Sequence, residues 1–146
     1  MKRNGRPKDQ CFLPFHRLYH RCEDEDLDGD RLLAARIKFK NTSVNWSKYS
    51  KPWDVIFDNP QHGIVQFLVC QLPKELPKEQ PTGGAAKLHS FSPGHVPLDK
   101  NYAHSEIWTY KDNERLVDVK DLPKIVKKEF RSTLSDAAVV LRRPSV

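Results

Sequence analysis

The sequence is short of the features that most directly announce a function. Cysteine occurs three times, at Cys11, Cys22 and Cys70, with no C-x-x-C pair. That excludes a disulfide framework and points to a reducing cytoplasm. No apolar run approaches the roughly 20 residues that cross a bilayer. The basic opening residues are not followed by the apolar stretch of about 7–15 residues that a secretory signal carries. A soluble cytoplasmic protein without a membrane partner is therefore expected. No G-x-G-x-x-G, P-loop, G-x-S-x-G or H-E-x-x-H occurs, so the common nucleotide and hydrolase signatures are missing.

Metal-ligand spacing is also lacking. His16 and His20 are four apart, which suits a helix, but their segment reads as a strand. His89, His95 and His104 follow no regular spacing. The acidic run Asp24-x-Asp26-x-Asp28-Gly29 resembles the first half of a calcium loop. Such a loop needs ligands at positions 9 and 12 as well. Here those positions are Leu32 and Ala35. No metal is expected; the run reads as a solvated acidic turn, open to pairing with basic residues of the C-terminal helix.

What is present is charge, unevenly spread over 146 residues and summing to +6. Lys2, Arg3, Arg6 and Lys8 crowd the first eight positions. Glu23 to Asp30 holds six acids. From Lys120 onward seven Lys/Arg face three acids. This layout admits an anionic partner.

The length fits one domain. Residues 1–10 read as a flexible basic tail and 11–146 as the domain, with 73–87 as a mobile loop containing Pro73, Pro77 and Pro81. Strands are expected at Arg17–Cys22, at the apolar Gly63–Cys70, which puts Cys70 in the core, and at Leu88–Phe91. Ser92–Pro97 reads as a turn. Residues 31–40 are ambiguous between helix and strand. Ser50 is placed to cap a short helix through Pro52. Asp112-Asn113 suits a hairpin turn into a strand at Leu116–Val119.

Asp121 would cap a helix over about 122–134. Its apolar side is Leu122, Ile125, Val126, Phe130 and Leu134. Lys124, Lys127, Lys128 and Arg131 stand at i, i+3, i+4 and i+7, on one stripe opposite it. A last buried strand follows at Ala137–Leu141. The sum is an α+β fold: a mixed, mainly antiparallel sheet with one long C-terminal amphipathic helix.

The most concentrated polar-aromatic stretch is 98–110, a turn running into a strand. Alternation puts Tyr102, His104, Glu106, Trp108 and Tyr110 on one face. His104 and Glu106 are close enough for the carboxylate to orient the imidazole. That pair suits general acid–base work. It equally suits a polar pair satisfied by Arg21 or a backbone group.

Leu18-Tyr19-His20-Arg21, then Asn41-Thr42-Ser43, then His104-Ser105-Glu106 resembles the scattered pattern of ADP-ribosyltransferase folds. The resemblance implies an enzyme with Arg21 holding a nicotinamide dinucleotide (NAD), Ser43 positioning the site and Glu106 orienting the ribose or acceptor, with His104 beside them. The dipeptide before Glu106 departs from that pattern. Leu-Tyr-His-Arg (18–21), Thr-Ser-Val (42–44), Gly-Ile-Val-Gln-Phe (63–67) and Ala-His (103–104) also resemble a family of uncharacterised small bacterial proteins, which implies no activity.

Two functions follow as expectations. The leading one is a small cytoplasmic binding or accessory module. It would meet nucleic acid or an acidic protein surface through Lys124, Lys127, Lys128 and Arg131, and would need no cofactor. The alternative is the NAD-using enzyme built on Arg21, Ser43, His104 and Glu106. The sequence leaves oligomeric state open.

Overall fold

Period-two burial dominates the chain and builds one large sheet. The computed structural model describes residues 5–38, 42–78, 88–120 and 122–145. The strands are β1 (Arg17–Cys22), β2 (Leu27–Asp28), β3 (Arg31–Leu32), β4 (Thr42–Trp46), β5 (Gly63–Leu68), β6 (His89–His95), β7 (His104–Lys111) and β8 (Glu114–Leu116). Helix α1 (Lys124–Ala137) and β9 (Val139–Arg142) follow. A seven-stranded sheet has the order β6-β7-β4-β1-β5-β9, with β8 beside β7. β2 and β3 form a separate hairpin. Each of these strand pairs is antiparallel. The fold is α+β, a single domain with one α-helix among the described residues. None of the described helices is long and apolar enough to cross a membrane.

The two faces of the sheet have different fates. One carries Leu18, Val44, Val65, Phe67, Phe91 and Ile107 into the core, where Val126, Phe130 and Leu134 of α1 cover them. The rings of Phe91 and Phe130 lie 4.3 Å apart. On the other face the 3-10 turn Pro52–Ile56 lies over part of the sheet, burying Tyr19, Ile56 and Ile64. Over β4, β7 and β8 it stays partly open.

Several elements differ from the sequence expectation. Helix α1 starts at Lys124 after Pro123 and runs to Ala137; Asp121 lies outside the described residues. Its core ridge is Val126, Phe130 and Leu134, one i+4 row. Ile125, about 100° round the helix from Val126, is 48 % exposed rather than buried. β6 runs on through Ser92–His95, where a turn was expected. Pro93 is tolerated there because β6 is an edge strand. The Phe91 N–H already points outward, to the Pro73 carbonyl, and the nitrogen of Pro93, two residues on, shares that direction. β8 ends at Leu116 instead of starting there. β9 is the opposite edge strand, so Val139 and Leu141 are exposed, not buried. Cys70 leaves the sheet in a 3-10 turn and is exposed as well.

Residues 31–38 resolve into β3 and the 3-10 turn Ala34–Arg36; 39 and 40 lie outside the described residues. Ser50 does not cap the Pro52 turn: its hydroxyl donates to the Trp46 carbonyl, and the Lys51 N–H is met by Asp54. Within the expected 73–87 loop, Pro73 and Leu76 are buried, and Leu76 bridges to His89; residues 79–87 lie outside the described residues. The segment expected as a loose tail makes specific bonds from Pro7 onward. Tyr102 donates to the Pro7 carbonyl at 2.6 Å, and the Asp9 N–H donates to His95 Nδ1 at 2.8 Å. Phe12 stacks on Trp46 at 3.8 Å.

Candidate functional sites

The cationic stripe forms one wall of a groove. The other wall is the 3-10 turn Ala34–Arg36, held against α1. Arg131 fixes the two together by donating from Nε to the Ile37 carbonyl at 3.1 Å. The groove encloses about 440 Å³ and is lined by Ala34, Ala35, Lys124, Lys127, Lys128, Arg131 and Ser132. It holds four cationic side chains and no carboxylate. Among the described residues none of these four makes an ion pair.

Several of the acids that were open to neutralising the stripe are committed elsewhere. Arg36 takes Glu25 at 3.2 Å and Asp26 at 3.1 Å. Asp30 pairs with Arg143. Asp136 pairs with Arg31 at 2.9 Å. Glu129, on α1 itself, accepts the backbone N–H of Lys78 at 2.9 Å. Four of these carboxylates thus face an arginine outside the stripe.

The second place is the open sheet face. His104, Glu106, Trp108 and Tyr110 do alternate onto it, each half-buried, while Ser105, Ile107 and Thr109 are buried on the other side. Tyr102 precedes the strand and is buried, with Arg6 over its ring at 5.1 Å. Trp108 is clamped: Gly94 lies beneath it, and the Arg115 guanidinium stands 3.6 Å from its ring centroid. Its indole N–H donates to Glu106 Oε1 at 3.2 Å.

The four residues expected together there are only partly assembled. Ser43 and Glu106 are register partners, as are Asn45 and His104. His104 and Ser43 are in contact, Nε2 to Oγ at 3.4 Å. Arg21 does not join them. β4 separates its strand from β7, a gap of about 10 Å over two strand spacings. Arg21 instead faces Asp58 at 3.9 Å. The partner that Glu106 requires is the indole of Trp108, not a cation. Among the described residues no hydrogen bond or ion pair links Arg21 to Glu106 or His104.

Two features had no sequence signal. Gly94 under Trp108 depends on the β6–β7 register. The carbonyl of Val96, which accepts from His104 Nδ1 at 2.8 Å, depends on how the chain turns between those strands. No family model matches the chain, and neither a curated protein nor a solved structure matches it.

Proposed function

We propose that this protein is a binding module for an anionic polymer, and that nucleic acid is its partner. The observation that carries the reading is the α1 groove, with four cations and, among the described residues, no lining carboxylate and no ion pair to any of the four. Unneutralised cations on a folded surface attract a polyanion and release its counterions on contact. The cations span two successive turns of one helix, about 5.4 Å apart along its axis. That repeat suits a ligand with regularly spaced phosphates. The small floor of Ala34 and Ala35 leaves room beside the lysine stems.

The test is fluorescence anisotropy with a labelled single-stranded oligonucleotide across a salt series. Wild type should bind at low salt with a steep loss as salt rises. Lys124→Glu with Lys128→Glu should weaken binding at least tenfold. It should also flatten the log K against log salt slope by about 1.4, for two lost phosphate contacts at about 0.7 each. No binding at low salt, or binding untouched by the reversal, overturns the reading. Capture of polyglutamate instead, dependent on the same lysines, would replace nucleic acid with an acidic protein surface.

A further inference from the structure

The open sheet face carries a second, independent arrangement, on the side of the sheet away from α1. Ser43 is exposed on β4, and its Oγ lies 3.4 Å from Nε2 of His104. The tautomer of that imidazole is fixed by its other nitrogen. Nδ1 lies 2.8 Å from the carbonyl oxygen of Val96. A carbonyl can only accept, so Nδ1 bears the proton. In the neutral ring Nε2 then presents a lone pair to the Ser43 hydroxyl.

Ser43 is held from behind as well. The ladder between β1 and β4 pairs Leu18 with Trp46 and Tyr19 with Asn45. Beyond that, the imidazole of His20 donates from Nδ1 to the Ser43 carbonyl at 2.8 Å. One histidine holds the backbone of Ser43 and another meets its hydroxyl. Beside them Asn45, the register partner of His104, is buried; its side-chain oxygen accepts from Asn101 at 2.8 Å, and among the described residues its NH₂ has no hydrogen-bond partner.

We propose that Ser43 is a nucleophile toward acyl- or phosphonyl-type electrophiles, with His104 as its general base and His20 as a positioning residue. In the acyl case the Ser43 proton passes to His104 Nε2 as Oγ bonds to the ester carbon. The ester C–O bond breaks, and the leaving alkoxide takes that proton. Water then repeats the sequence, releasing the acid and restoring the serine.

The test uses an alkyl fluorophosphonate. Oγ–P forms, P–F breaks, fluoride leaves and His104 takes the proton. Peptide mass spectrometry should find the adduct on Ser43, and Ser43→Ala should abolish it. His104→Gln should slow labelling by a hundredfold or more, the usual scale of a general base. His20→Ala should slow it less. Circular dichroism on each variant separates chemistry from misfolding, and Ser43→Ala, at an exposed position, provides a folded control. An unlabelled wild type, an adduct on another residue, or a His104→Gln protein that labels at the wild-type rate while folded would each overturn the proposal.

Discussion

Gly94 lies directly under the indole of Trp108: a Cβ built on Gly94 would stand 2.2 Å from Cζ3 of that ring. The Arg115 guanidinium packs on the same ring, 3.6 Å from its centroid. Gly94→Ala should therefore destabilise the domain by about 1–3 kcal/mol, the usual cost of overpacking. Urea unfolding measures it. The same change made in a Trp108→Ala background should cost much less, and equal costs would remove the ring as the cause.

Phe130 and Ile125 lie on the same helix with opposite fates. Phe130 is 1 % exposed and stacks near Phe91, whereas Ile125 is 48 % exposed. Phe130→Ala should cost about 3–5 kcal/mol. Ile125→Ala should stay within about 0.5 kcal/mol, as surface changes do. Comparable losses at both positions would mean that α1 is rotated from the orientation described.

Acid should weaken the fold in two windows. Hydrogen bonds from Lys48, Tyr49 and the Cys11 N–H hold the Asp9 carboxyl well below the usual carboxylate range. A depressed carboxylate contributes its stability above its unfolded pKa, about 3.9, and loses it as pH falls from there. Asp9→Asn should thus be less stable than wild type at pH 7, with the gap narrowing below about pH 4. Burial pushes the His20 imidazole down, only partly opposed by its bond to Ser43. Its contribution is complete above about pH 6.5 and declines as pH falls below that. Denaturation midpoints at pH 7, 5 and 3 resolve the two. A flat profile between pH 7 and 5 in wild type would remove His20 from the account.

The three thiols should divide. Cys11 and Cys70 are exposed, while Cys22 is buried and burial pushes its thiol up to about 11. At pH 8 iodoacetamide should alkylate Cys11 and Cys70 readily and Cys22 only after unfolding. Fast alkylation of Cys22 in the native protein would contradict its burial at the end of β1, beside Gly63 of β5.

Sequence periodicity made some of this legible. The alternation from His104 to Tyr110 placed the right side chains on the open face, because period-two burial needs only local order. The i+4 row of Val126, Phe130 and Leu134 gave α1, and Asp112-Asn113 gave its turn, with φ of 50° and 67°. What stayed hidden depended on strand order. Arg21 looked like a partner for Glu106 until β4 came between them. β6 looked broken at Pro93 because nothing local says that a strand will lie at an edge. The cationic stripe was visible, but not its opposite wall. A three-residue 3-10 turn at Ala34–Arg36 carries no periodicity, and long-range bonds on either side of it, Ser135 to the Leu32 carbonyl and Arg131 to the Ile37 carbonyl, bring it to α1.

The anchoring of Asp9 and Pro7 has a consequence for birth on the ribosome. Their partners, His95 and Tyr102, lie 86 and 95 residues downstream. At about 5–20 residues per second, the leading segment emerges roughly 4–17 s before His95 is made. Until then the Pro7–Asp9 segment travels without these two anchors, while β1 already has both of its flanking strands, β4 and β5. A chaperone that meets the nascent chain has that interval in which to hold it, and slower translation lengthens the interval in proportion.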